Sequence, residues 1–138
     1  ILLEYENIKT AYRMIYHDTY DYILPYLHCY DLPTFERRDG NHLMGGSDGK
    51  CIGGIWMVSK KAFKKLGMMN TKYEGWGGED DYRHWILSKN VNWRRLGGTI
   101  LHLYHPFQKD IEKYSKINKQ HLDNDISSTY KIQKNTFI

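Results

Sequence analysis

Residues 73–85 read YEGWGGEDDYRHW, from Tyr73 to Trp85. Two adjacent glycines are followed at once by three acids, with a tryptophan on either side. Gly77 and Gly78 can take backbone angles other residues avoid, and they let another molecule approach the main chain. Beyond them Tyr82, Trp85, Ile86 and Leu87 recur at helical spacing. The pattern predicts a glycine turn that opens into a helix, with Glu79, Asp80 and Asp81 on its first turn. Free N–H groups and the helix dipole favour negative charge there. Trp76 offers a flat apolar face beside those carboxylates. A carboxylate next to an aromatic platform on a tight turn suits a sugar or another polyhydroxylated ligand. The plainer reading is helix capping after ordinary turn chemistry.

Upstream, Cys51 to Asn70 reads CIGGIWMVSKKAFKKLGMMN. Ile55–Val58 predicts a short strand. Ser59 is a good N-cap for a helix over Lys60–Leu66, and Gly67 is a natural residue to stop it. Gly53-Gly54 predicts a tight bend just ahead of the strand. Downstream, Val91–Leu96 and Ile100–Tyr104 read as strands joined by a turn at Gly97-Gly98. Pro106 ends the second. His102 and His105 fall on opposite faces of an extended strand, so strand geometry alone does not bring them to one metal ion.

These three segments in this order resemble the galactosyltransferase C-terminal region, whose signature is WGGED. That region occurs in β-1,4-galactosyltransferases and in bacterial chondroitin-type polymerases. The resemblance runs from about Cys51 to Asp110. It implies an α/β fold (α+β as a fragment): the acceptor-side half of a GT-A glycosyltransferase, with a short mixed sheet and flanking helices. It implies an inverting, metal-dependent hexosyltransferase that moves galactose or N-acetylgalactosamine from a UDP-sugar to a saccharide hydroxyl. Asp80, the second acid of GGED, is then the catalytic base. Glu79 and Asp81 orient hydroxyls, and Trp76 walls the sugar. Gly53, Gly54, Gly77 and Gly78 let the backbone approach the substrate. His105 is the expected metal ligand, with His102 as the fallback. Imidazole suits manganese better than magnesium, so Mn2+ is expected ahead of Mg2+. A helix start makes Asp80 a weak base, which suffices if the acceptor proton leaves late in the reaction. The competing reading is a noncatalytic carbohydrate-binding or interaction module of the same fold.

The remainder of the chain bears less on chemistry. Tyr5, Ile8, Tyr12 and Ile15 predict a helix over Leu3–Tyr16 with that stripe facing a core. Asp18, Pro25 and Pro33 break the next stretch into short extended pieces. Its His17, Asp18, Asp21, His28 and Asp31 carry no recognised ligand signature. Residues 34–50 hold four glycines and predict a long polar loop, either a lid or acceptor-side loop of a sugar site or a disordered stretch. Asp110–Leu122 predicts a helix with Ile111, Tyr114, Ile117 and His121 on one side. The final DNDISSTYKIQKNTFI predicts a tail. The Asp-x-Asp of such enzymes lies upstream of the signature. Asp123-Asn124-Asp125 lies downstream and is not counted as that motif.

At 138 residues the chain suits a single domain, divided as helix and loop (1–50), galactosyltransferase-like core (51–110), and helix and tail (111–138). Its charge of +4 is mild. No nucleic-acid module accompanies that charge, so nucleic-acid binding is not inferred; a pyrophosphate substrate or peripheral contact with an anionic membrane fits it. Cys29 and Cys51 are too few for a disulfide framework, and free thiols point to a reducing, cytoplasmic setting. A start at Ile1 suggests a piece of a longer protein, with a nucleotide-binding half and a further metal ligand supplied from upstream.

Overall fold

A computed structural model describes residues 1–32, 44–46, 51–75, 77–103 and 110–135. The chain divides into two compact units. The first comprises Ile1–Met68 and His84–Pro106; the second comprises Met69–Arg83 and Phe107–Ile138.

The first unit is built around β2 (Tyr22–Leu24), whose three side chains are all completely buried. Successive strand residues point to opposite faces, so β2 serves two hydrophobic clusters. Tyr22 and Leu24 join Tyr26, Leu87 and Ile100 on one side. Ile23 joins Ala11 and Leu96 on the other. Full burial of such a side chain contributes roughly 1.5–3 kcal/mol, which makes this three-residue strand the anchor of the unit.

Helix α1 spans Tyr5–Tyr16 and covers the Ile23 side. The sequence placed Tyr5 and Tyr12 on its inner stripe. The structure instead buries Ala11, with Met14 and Ile15 packed beside it, and leaves Tyr5, Tyr12 and Tyr16 exposed. A methyl group at Ala11 permits closer approach to the strand than a phenol would. Tyr12 and Tyr16 stack on each other outside, ring centres 5.8 Å apart.

Two small mixed sheets complete the unit. One runs β5 (Met57–Val58), β2, β6 (Trp93–Arg95), with β2 antiparallel to β5 and parallel to β6. The other runs β1 (Leu2–Leu3), β7 (Thr99–Leu103), β3 (His28–Leu32), β4 (Met44–Gly46). Its central pair, β3 and β7, is parallel, and both edges are antiparallel. Of the stretch expected as a long loop, residues 44–46 form the edge strand β4; the rest of 34–50 lies outside the described residues. The prolines and Asp18 do yield short extended pieces, here β2 and β3.

Helix α2 spans Lys60–Lys65 and is capped as its sequence predicts. The Ser59 hydroxyl accepts from the Ala62 N–H at 3.1 Å. At the other end Gly67 takes φ +82°. The Met68 N–H then reaches the Phe63 carbonyl and the Gly67 N–H the Lys64 carbonyl, the paired bonds of a Schellman turn. Helix α3 spans Glu79–Asn90; its first turn lies in the second unit, and Ile86, Leu87 and Val91 feed the core of the first.

In the second unit, helix α4 runs from Ile111 to Asn135. The tail expected after Leu122 is therefore helix through most of its length. Its inward stripe includes Tyr114, Asn118, His121 and Asp125, three of them polar. That stripe lacks the apolar repeat a sequence reading follows, so the sequence pattern ends well before the helix does. The expected inner position Ile117 is 39% exposed, while Asn118 beside it is 1% exposed. Among the described residues no helix is long and apolar enough to cross a membrane.

Candidate functional site

The glycine turn forms as the sequence predicts. Gly75, Gly77 and Gly78 all take positive φ, between +67° and +90°. Glu79, Asp80 and Asp81 are the first three residues of α3, and the Tyr82 N–H closes that turn on the Gly78 carbonyl at 2.9 Å. Glu79 and Asp80 are half-buried, and Asp81 is exposed. Asp80 is ion-paired with Arg83, one helical turn on, and Arg83 is itself buried. An arginine beside a carboxylate favours its charged form. This partner was readable from the three-residue spacing alone, yet the sequence reading passed over it.

Helix α4 holds the approach to this turn. The Glu74 N–H donates to Asn118 Oδ1 at 3.3 Å, and Asn118 Nδ2 donates to the Glu74 carbonyl at 2.8 Å. A side chain on Gly78 would press on Asn118 Cβ and the Tyr73 ring, each at 3.2 Å. One on Gly77 would meet nothing nearer than Ser115, 4.0 Å away. Gly78 is therefore required by packing as well as conformation, Gly77 by conformation with open space beside it.

Asp125 secures the segment just upstream. Its carboxylate accepts from Asn70 Nδ2 at 3.1 Å and from the Tyr73 hydroxyl at 3.5 Å, and Lys72 Nζ lies 3.3 Å away. Burial, then the Asp125 charge, push the Tyr73 phenol well above its usual range. The Asp123-Asn124-Asp125 stretch thus has a structural use: Asp125 latches residues 70–73. Asn118, Asp125 and Arg83 are the residues the sequence reading missed here.

Gly53 and Gly54 belong to the first unit. The Gly53 carbonyl accepts from the buried Tyr26 hydroxyl. The Cys51 carbonyl accepts from Arg95 Nη1 at 2.8 Å and from the same hydroxyl at 3.3 Å. Burial, then the Cys51 thiol, push the Tyr26 phenol far up. Gly54 has φ +88° and faces Ile1 and Ile100, where a Cβ would come within 2.8 Å and 3.3 Å of their Cδ1 atoms. Gly54 thus has a packing reason of its own in this bend.

Trp76 and His105 lie outside the described residues. His102 is half-buried on β7, in register with Asp31 of β3. Among the described residues no three His, Cys, Asp or Glu side chains gather as a metal site. They do not by themselves fit a complete manganese site.

Residues 46–110 match the family profile described as the N-terminal domain of galactosyltransferase, somewhat less than half of the chain. The resemblance read from the sequence spans nearly the same residues but assigned them to the C-terminal region; the galactosyltransferase family is common to both. A xylosylprotein 4-beta-galactosyltransferase of Caenorhabditis elegans is 40% identical over 68 residues, covering 44% of this chain and 24% of that protein. The chain thus spans about a quarter of the length of the curated relative it matches. No solved structure gives a significant match. Both similarities support a glycosyltransferase.

Proposed function

We propose that this chain is part of a glycosyltransferase that moves galactose, or N-acetylgalactosamine, from a UDP-sugar to a hydroxyl of a saccharide acceptor. The observation that carries this reading is the placement of Glu79, Asp80 and Asp81 as the opening turn of α3, directly after two left-handed glycines. That turn lies within the residues similar to galactosyltransferases. In the proposed reaction the acceptor oxygen attacks the anomeric carbon, the bond from that carbon to the UDP oxygen breaks with inversion, and Asp80 takes the acceptor proton. Glu79 and Asp81 position hydroxyls. Trp76 forms the apolar wall, and Gly53, Gly54, Gly77 and Gly78 allow close approach of the main chain.

Arg83 bears on how Asp80 would act. A carboxylate held charged by arginine is a weak base. It serves best as a late proton acceptor, once the attacking hydroxyl has become acidic. A divalent metal, Mn2+ ahead of Mg2+, would supply counter-charge to the leaving pyrophosphate. His105 is its proposed ligand from this chain, and other ligands would come from outside it. These residues would form the acceptor-side part of a GT-A enzyme, the nucleotide-binding half being separate. A cytoplasmic location belongs to the same reading.

The test is transfer by the full-length protein, supplied with UDP-galactose and UDP-N-acetylgalactosamine and a panel of saccharide acceptors. Product formation with inversion at the transferred sugar is expected. Saccharide binding without turnover from any UDP-sugar would replace the enzyme by a carbohydrate-binding module.

A further inference from the structure

From Gly49 to Tyr73 the chain contains no Asp or Glu, while Lys60, Lys61, Lys64 and Lys65 crowd into six residues. The structure makes these lysines one surface. At about 100° per residue they cover about 140° of the α2 circumference, and all four are exposed. The opposite side of the helix carries Ala62, which is buried, and Phe63, which packs on Trp56 with ring centres 6.1 Å apart. Inner and outer faces are therefore fixed by packing.

None of the four ammonium groups pairs with a carboxylate of a described residue. The Asp21 carboxylate, which lies at the start of this helix, is taken by the Ser59 hydroxyl at 2.7 Å. Four like charges on one face repel each other, so a ligand that supplies negative charge across the whole face would relieve them.

The turn after the helix adds an apolar element. The Schellman turn commonly brings the residue after the glycine back onto the helix. Here that residue, Met68, is 60% exposed at φ +61°. Nothing lies within 4 Å of a Cβ built on Gly67, so this corner of the unit is open.

We propose that α2 and the Gly67–Met68 turn form a contact surface for an anionic lipid bilayer, with the lysines over the headgroups and Met68 entering the interface. Clusters of four or more basic residues on an amphipathic helix suit such surfaces. Two features favour lipid over another polyanion. A soluble polyanion gives an exposed methionine nothing to enter, whereas a bilayer does. A six-residue helix is also too short to fill a protein groove through anchors spaced over several turns. The surface stands on charge and exposure alone, and is independent of the glycosyltransferase reading.

The experiment is co-sedimentation of the protein with phosphatidylcholine vesicles and with vesicles part-substituted by phosphatidylserine. Binding is expected to the second alone and to fall as salt rises. Lys64→Gln with Lys65→Gln should weaken it by roughly 10- to 30-fold, and Met68→Ser should weaken it further without altering the salt dependence. Circular dichroism of each variant confirms that it folds. Equal binding to both vesicles, or no effect of the lysine changes, would overturn the proposal. Equally tight binding to dextran sulfate that Met68→Ser does not affect would move the surface from lipid to soluble polyanions and would also overturn it.

Discussion

Asn118 and Glu74 exchange two hydrogen bonds, the amide of one reading both the N–H and the carbonyl of the other's backbone, although 44 residues separate them. In this way a buried side chain of α4 fixes the main chain three residues before the glycine pair. Replacing Asn118 with Leu removes both bonds. The expected cost is about 1–3 kcal/mol, read as a lower midpoint in chemical denaturation. If the clamp also positions the acidic turn, transfer by the full-length variant should slow while the far-ultraviolet spectrum stays unchanged.

Gly75 and Gly67 provide a matched pair of tests. Both have positive φ, but a Cβ on Gly75 would sit 2.5 Å from Tyr114 Cγ, whereas one on Gly67 meets nothing. Tyr114 cannot swing away, because the clash is near the root of its side chain. Gly67→Ala should cost about 1–2 kcal/mol for the left-handed backbone. Gly75→Ala should cost that and a further 1–3 kcal/mol or so for overpacking. Equal losses in denaturation midpoint would show that Tyr114 does not close over this turn.

Tyr26 and Tyr73 set an alkaline limit on stability. Both phenols are raised, chiefly by burial, above the unfolded value of roughly 10. A raised group binds its proton more tightly in the folded state. The stability it contributes is therefore complete below the unfolded pKa and is lost as pH rises toward the folded one. Stability should be level through neutral pH with respect to these groups and decline above about pH 10. Tyr26→Phe and Tyr73→Phe should each flatten that decline, seen in melting temperature across an alkaline pH series.

Much of this was legible in the sequence, and the failures share a cause. Ser59, Gly67 and the run from Gly77 to Asp81 were read correctly because capping and turn chemistry are local. The length of α4 was not, because its inner stripe carries Asn118, His121 and Asp125, whose use depends on partners at residues 70–74. The outward turn of Tyr5 and Tyr12 was missed for a related reason. Tyrosine is amphipathic and carries no fixed preference for a core, while a lone Ala11 gives no signal until the strand beneath it is known. Asp125 shows the same limit at the site: its D-x-D string is rightly not the upstream motif, yet nothing local foretells that Asn70, Lys72 and Tyr73 make it a latch.

Asp80 has two possible roles, and its pairing with Arg83 separates them. As a structural partner, a carboxylate about a third exposed contributes about 1 kcal/mol or less through an ion pair. Asp80→Asn would then lower the melting temperature slightly and leave turnover near normal, since Asn also suits a helix start. As the general base it must accept a proton, which the amide cannot. Turnover of the full-length enzyme should then fall by roughly 10²- to 10⁴-fold, with donor KM little changed. Arg83→Gln completes the comparison. It breaks the same ion pair but leaves the carboxylate able to accept a proton, so the variant should lose stability while keeping far more turnover than Asp80→Asn. Steady-state kinetics and thermal melts on both variants decide the matter. Near-normal turnover in a folded Asp80→Asn protein would pass the base role to Glu79 or Asp81.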